Sequence, residues 1–381
     1  MTEKNLTPNT PLSNEREACW STADKLVFSS NGADTDGNGV LDAVNTDYDL
    51  WIMDREGRFL QRLADLDGDQ TQPTWSPDGG QVAYISNESG STQLYRRRLT
   101  DTVATQLTDV PPKIDKSKKG QPFWSPAGNV LYYASNGDPN GTNPDGGFEI
   151  FAIGVDGRII RQLTNSPAAD NTNPTVSPNG QFVAFTSTRS GARRIWIIDS
   201  RASQENFAPT RFTNPPGAAA EDDDADFDLS GSRLAFSSTR PVSGADVVPD
   251  FNVWTSSFGG LGSVELTTTL VSNTDATNSS ADLYPTFSRS ANPALLGNLL
   301  AFTSGRTGSD DLWRVNTVDS SPPTVEDGFP KDASGQPFVR VTPRTPEAGL
   351  FAGTAATIEC VISDIESGMV TGAAAGSVVL E

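Results

Sequence analysis

Histidine does not occur in the 381 residues. Its absence excludes the Ser-His-Asp triad, His-bearing zinc sites and His-ligated haem, and removes the commonest general base. Acid–base chemistry, if any, falls to carboxylates. Cysteine is nearly absent: Cys19 and Cys360 are the only two. They form one disulfide or stand as two inert thiols, and so few say little about redox compartment. Positive charge is scarce as well, with 28 Lys and Arg against 48 Asp and Glu and a net charge of −20. Every phosphate contact needs Lys or Arg, so nucleic acid and anionic membrane are poor partners, whereas metal cations and basic partners suit this surface. No apolar run approaches the roughly 18 residues that span a bilayer, so membrane insertion is not expected. The opening stretch, residues 1–17, is polar and holds no signal-peptide core. The chain is therefore cytosolic or begins after a removed leader.

What the chain has in quantity is glycine (34) and proline (26), a balance suited to many short strands joined by turns. Self-comparison finds a strand-like segment six times: LVFSS (26–30), VAYIS (82–86), LYYAS (131–135), VAFTS (183–187), LAFSS (234–238) and LAFTS (300–304). A second set reads polar, aliphatic, aromatic: DLWIMD (49–54), QLYRRR (93–98), EIFAIG (149–154), RIWIID (194–199), NVWTSS (252–257) and DLWRVN (311–316). A third set closes each unit: QRLA (61–64), TQLT (105–108), RQLT (161–164), TRFT (210–213), VELT (264–267) and VRVT (339–342). A fourth precedes the first, most clearly as PTWSPDGGQ (73–81), PFWSPAGN (122–129), PTVSPNGQ (174–181) and PTFSRS (285–290), and more weakly as ACWSTADK (18–25) and DFDLSGSR (226–233).

Four strands repeated six times, at a spacing of about 50 residues, predict an all-β, six-bladed β-propeller of four-stranded antiparallel blades. Ser-Pro-Asp-Gly supplies the tight turn between first and second strands, Pro presetting φ and Gly taking the left-handed conformation. The periodic tryptophans are core residues, and Trp75, Tyr84 and Tyr95 are expected to be buried between blades. The expected blades are 18–72, 73–121, 122–173, 174–225, 226–284 and 285–343, after an N-terminal extension (1–17) and before a tail (344–381). The Ser76-Pro-Asp78-Gly-Gly80 turn imitates the Asp-box of sialidases, but Ala83 stands where that box has Trp, so the sialidase reading fails.

The P-x-W-S-P-D-G turn, the A-F-x-S strand, the aliphatic-aromatic strand and the closing L-T resemble the repeat of TolB-type propellers. The resemblance covers residues 18 to about 343. It implies a binding module of the kind found in bacterial periplasmic and secreted proteins, and says little about a particular partner.

In an up-and-down blade, the loops between second and third strands and the blade-to-blade connections open on one face. Most long excursions fall there: 31–48, 136–148 and 239–251, then 109–121, 214–225 and 268–283. Only 317–337, in blade six, should emerge on the other face. Loops concentrated on one face suggest that it is the surface in use, for a protein partner, the alternative being neutral drift in surface loops. Glu221 to Asp224 reads as a solvated acidic loop, and Lys113, Lys116, Lys118 and Lys119 as its basic counterweight.

One loop has a defined chemical pattern. In Asp34-x-Asp36-x-Asn38-Gly39-x-x-Asp42, hard oxygens fall at positions 1, 3, 5 and 9, with glycine at 6 for the sharp turn. Val40 would donate its carbonyl and Leu41 is the hydrophobic anchor. Asn45 takes the twelfth position, with Asp47 near enough in sequence to substitute. Ca²⁺ takes six to eight such oxygens, whereas Mg²⁺ keeps its waters. Strands flank the loop, so it is similar to the calcium loops of integrin-type propellers more than to an EF-hand. The alternative is a solvated acidic turn. Asp65 to Asp69 and Asp138 to Asp145 are weaker echoes of the pattern.

The tail contains AATIECVISDIESGMV (355–370), which alternates like the opening strands of immunoglobulin-like modules. Fewer than 40 residues cannot bury a sandwich core, so the tail is a truncated module or an arm that pairs with another strand, in this chain or a partner. The expected function is a non-enzymatic, calcium-supported binding or scaffold module, periplasmic, extracellular or on the cell surface. The competing readings are a carboxylate-dependent carbohydrate-active propeller enzyme and a structural subunit of a surface assembly.

Overall fold

A computed structural model describes residues 3–8, 13–35, 41, 43–58, 60–63, 67–108, 119–138, 141, 143–203, 206, 208–216, 219–241, 250–265, 268–272, 280–290, 299–317, 324–325 and 362–363. The chain divides into two units, Glu3–Thr317 and a second made of Met1–Thr2 with Val318–Glu381. The first unit is a six-bladed propeller. Its six sheets each have four antiparallel strands, and among the described residues there is no helix.

The innermost strands are Glu15–Trp20, Gln70–Trp75, Lys119–Trp124, Asn171–Val176, Asp222–Phe227 and Asp282–Phe287. Each touches the innermost strand of the next blade, and the last touches the first, so the ring closes around a central axis. Second and third strands pair in one register throughout. The aromatics meet as Phe28↔Trp51, Tyr84↔Tyr95, Tyr133↔Phe151, Phe185↔Trp196, Phe236↔Trp254 and Phe302↔Trp313. That identity of register is what the recurring aromatic positions encode. A one-residue slip would turn every aromatic to the opposite face.

The core lies between blades. Trp75, Tyr84 and Tyr95 pack with Val27, Leu50 and Ile52 across the first blade junction, all three aromatics are buried, and the two tyrosine rings stack at 5.8 Å. Comparable clusters fill the other five junctions. In the turn of blade two, Gly79 has φ +68°. Asp78 accepts hydrogen bonds there from the Ser76 hydroxyl (2.5 Å) and the Gly80 amide (3.0 Å), and these hold its carboxyl below the usual range.

Two closing strands differ from expectation. Blade six is closed by the chain's start: Glu3–Asn5 pairs with Asp311–Asn316, so the propeller begins at Glu3 and residues 1–17 are not a mere extension. Val339 to Thr342, expected there, lies outside the described residues. The reason is a signature at Leu6-Thr7. In blades two to four, the threonine of the closing L-T or F-T pair, at 108, 164 or 213, accepts a hydrogen bond from a third-strand amide: Leu94, Ile150 or Ile195 (2.8–3.0 Å). Thr7 does the same for Leu312 at 3.0 Å, and Leu6 is buried. Ion pairs Lys4–Glu56 and Arg306–Glu3 secure the clasp. In blade five the outer strand is Thr268–Leu270 instead of 264–267, and Ser272 accepts from the Val253 amide at 3.0 Å.

Blade five also corrects the reading of the acidic run. Asp222–Phe227 is its innermost strand, with Asp222, Asp223 and Asp226 all buried. Arginines explain how a strand so charged enters the core. Arg240 pairs with Asp222 (2.9 Å), Arg193 with Asp223 (2.7 Å) and Arg289 with Asp226 (2.5 Å). Those partners come from elsewhere in the chain, so composition of the run itself could not reveal them. Of the lysines read as its counterweight, Lys113, Lys116 and Lys118 lie outside the described residues. Residues 324–325 and 362–363 pair as a short two-stranded ribbon in the second unit. The remainder of the 344–381 tail is outside the described residues.

Candidate functional site

Every innermost strand carries a β-bulge at its third residue. Glu17, Gln72, Gln121, Asn173, Asp224 and Tyr284 have φ between +50° and +58°, and each ladder shifts register at that point. Left-handed backbone at a non-glycine residue costs about 1–3 kcal/mol, and such outliers gather at functional sites. Here six recur at one level of the molecule. Together they line an axial cavity of about 120 Å³. Because each bulge lies near the start of its strand, the cavity opens on the face that carries the long loops. Four bulge residues precede a proline, at 73, 122, 174 and 285. An innermost strand has a free edge along the axis, so a residue without an N–H is tolerated there.

A chain of hydrogen bonds links the bulges around the axis. Glu17 Oε2 accepts from the Gln72 amide (2.8 Å), Gln72 Oε1 from the Gln121 amide (2.8 Å), and Gln121 Oε1 from the Asn173 amide (3.2 Å). Asn173 Nδ2 then donates to Asp224 Oδ1 (2.5 Å) and Asp223 Oδ1 (2.7 Å). Glu17, Gln72, Gln121 and Asp224 thus brace the next blade's strained backbone. Burial pushes the Glu17 carboxyl up, with the Gln72 amide opposing. Burial and the neighbouring Asp223 charge push Asp224 well above the ordinary carboxylate range, with the Tyr284 amide opposing. Tyr284 is raised by burial and by Asp224 and Glu17. The mouth takes a different bulge side chain from each blade, set among prolines and Phe123.

The expected calcium residues belong to the connection between second and third strands of blade one. Second strand Lys25–Ala33 and third strand Ala43–Asp54 pair as far out as Ala33↔Ala43. Asp34 is described, directly after the second strand. Asp36, Asn38, Val40 and Asp42 lie outside the described residues. Leu41, read as the anchor, is buried and packs in the junction of blades six and one. Asn45 and Asp47 stand half-buried in the third strand. At roughly 3.3 Å per residue, Asp47 lies about 13 Å along the strand from Ala43, too far to share an ion with Asp34. Among the described residues, no group of three or more acidic or thiol side chains is gathered as a metal site.

Within the two weaker echoes, Asp69 and Asp138 staple loops, and Asp65 lies outside the described residues. Asp69 accepts from the Tyr48 amide (3.1 Å) and from Asn87 Nδ2 (3.0 Å). Asp138 accepts from the Asn143 amide (2.7 Å). Cys19 is a free thiol on the axis, raised by burial, and Cys360 lies outside the described residues. The bulge ring itself escaped the sequence reading. The available signal was the polar residue before each P-x-W-S-P turn, visible in four blades and lost in one and five, where Ala18 and Ala225 replace proline.

No family model matches the chain. Over 158 residues it is 32% identical to Tol-Pal system protein TolB of Bordetella pertussis and, equally, of Bordetella bronchiseptica. The match covers 38% of this chain and 33% of each relative, so the chain spans about a third of the length of the curated relatives it matches. The crystal structure of TolB from Acinetobacter baumannii superposes with a TM-score of 0.51 at 17% identity, covering 77% of this chain and 64% of that one. That likeness is one of fold. The chain is a six-bladed β-propeller similar to TolB.

Proposed function

We propose that this chain is a non-enzymatic protein-binding module whose docking surface is the axial mouth and the loops around it. The observation that carries the reading is the bulge ring. Six strained positions on one rigid scaffold display six polar side chains around a single opening, and pre-organised display of that kind lowers the cost of recognition. The partial likeness to TolB supports work in the periplasm, or at the cell surface, alongside protein partners. No helix among the described residues is long and apolar enough to cross a membrane.

Calcium belongs to the same proposal. The spacing of Asp34, Asp36, Asn38, Val40 and Asp42, the strand pair that pinches the loop, and the buried anchor Leu41 all support one Ca²⁺ there, with Asn45 completing the shell. Supplied by calcium near millimolar, such a site stiffens a loop beside the mouth.

A photo-crosslinking amino acid in place of Tyr284 tests the docking surface. In native cells it should trap a discrete protein partner, while the same group at Val103, 75% exposed in a turn of the opposite face, should not. Equal trapping at both positions, or at neither, overturns the proposal. The competing enzyme reading has Glu17 and Asp224 in one cavity on its side. That cavity, at about 120 Å³, is smaller than the several hundred Å³ usual for a small-molecule site. Cleavage of any acidic or neutral glycan that survives repurification and is lost in Glu17→Gln would establish it.

A further inference from the structure

The axial mouth is not uniform with depth. Its rim, at the level of the bulges, includes the carboxylates of Glu17 and Asp224. One residue further along the strands, and so deeper, come Ala18, Pro73, Pro122, Pro174, Ala225 and Pro285, with Phe123 next below. These side chains offer carbon surface and, at the prolines, no N–H. An acidic rim thus stands over an apolar floor.

Among the described residues, no ion pair includes either rim carboxylate. Both hydrogen bonds of Glu17, from the Gln72 amide (2.8 Å) and the Ser29 hydroxyl (3.2 Å), end on Oε2, which leaves Oε1 for a guest. Asp224 accepts from Asn173 on Oδ1. The arginines nearby are committed elsewhere. Arg289 pairs with Asp226 (2.5 Å) and Arg193 with Asp223 (2.7 Å), while Arg16 lies over the Tyr48 ring, 4.2 Å from its centre. A sheltered carboxylate without a counter-charge is costly. A cationic guest relieves that cost, an anionic one is repelled, and a neutral one leaves it in place.

The floor decides which cation. Ca²⁺ takes six to eight oxygens, and alanine, proline and phenylalanine side chains supply none. An ammonium on an apolar body suits both levels. An apolar cavity of about 150 Å³ holds one benzene ring of six heavy atoms, so the 120 Å³ here holds about five, the size of a leucine side chain with its α-ammonium. A lysine would carry its charge to the floor and leave its stem at the rim. An N-terminal residue does the opposite: its side chain goes down, its ammonium stays among the carboxylates, and the following chain leads out.

We infer that the mouth captures the free N-terminus of a protein partner whose first residue is aliphatic. This rests on the docking surface proposed above and names its ligand. Leucyl-glycyl-glycinamide is the probe, followed on the full chain by ligand-observed saturation-transfer NMR. It should bind saturably at pH 7, where its amine is largely charged. N-acetylation removes the charge, and glycyl-glycyl-glycinamide lacks the aliphatic body. Each change should weaken binding about tenfold or more. Acetyl-lysyl-glycinamide should bind no better than the acetylated leucine peptide. Glu17→Gln and Asp224→Asn should each weaken the free peptide about tenfold, with thermal melting showing both variants folded. Asp170→Asn, at an exposed acid of the same face, should leave its affinity unchanged. Absence of saturable binding, or equal binding of the acetylated peptide, overturns the inference. So does a loss in Asp170→Asn as large as in Glu17→Gln, which would reduce the effect to general attraction by an acidic surface. A partner trapped at Tyr284 while the peptide fails to bind would remove this ligand and leave the docking surface standing. Peptide binding with nothing trapped at Tyr284 would do the reverse.

Discussion

Asp224 shows how a single residue sets the character of the mouth. Three of its neighbours on the strand have arginine partners, but Asp224 has the Asn173 amide and a backbone N–H in place of a cation. Burial therefore raises its pKa above the ordinary value of 3.8. Between the unfolded and folded pKa values the native state holds the proton that the unfolded chain releases, so stability falls as pH rises through that window. Asp224→Asn removes the penalty. The variant should melt higher than wild type at pH 7, and the gain should vanish as pH falls toward the ordinary carboxylate value. A melting-temperature difference independent of pH would contradict this account. Trp75 is the matching test for the core. It was legible as a buried aromatic from its place in the repeat, and Trp75→Ala should cost about 3–5 kcal/mol in chemical denaturation.

Among the elements, the N-terminal clasp and the blade-one hairpin carry the clearest tests. The strand Glu3–Asn5 has only three residues, so its hold on blade six rests on Leu6 in the core and Thr7 on the Leu312 amide. Leu6→Ala should destabilise by about 2–5 kcal/mol, although Leu6 lies six residues from the chain's start. A change under 0.5 kcal/mol would mean that the clasp is not holding the ring. The hairpin is an insertion beyond the blade proper, and the calcium prediction belongs to it. A weak site with Kd of order 10⁻⁴ M contributes roughly 1.8 kcal/mol at about 2 mM free calcium. Chelation should lower Tm and expose residues 34–42 to protease, and Asp36→Ala should remove the response while the propeller stays folded. Identical melting in calcium and in chelator would leave the loop a solvated acidic turn.

At the scale of the whole molecule, closure is complete within Glu3–Thr317. The sixth blade takes its last strand from the start of the chain, so nothing after Asn316 is needed to join first blade to last. A chain ending at Thr317 should unfold in one cooperative transition, with a melting temperature within a few degrees of the full chain. Closure by Val339 to Thr342 would instead give a markedly less stable, open ring. Two axial cavities share Cys19, Thr74 and Phe123 in their linings and open at opposite ends of the axis.

Periodicity by itself determined the architecture: blade number, strand register, the buried aromatics and the face on which the loops gather. These properties depend on local patterns repeated at fixed spacing, and a pattern that recurs six times in 381 residues is legible without coordinates. Which segment closes the ring was not legible, because Leu6-Thr7 sits about 300 residues from the strand it completes and competes in sequence with a plausible VRVT. Nor was the fate of the acidic run, whose burial depends on arginines up to 63 residues away. The bulge ring was hidden for a related reason. Its six residues share a backbone conformation but no side-chain identity, so only the three-dimensional ring brings them together as a site.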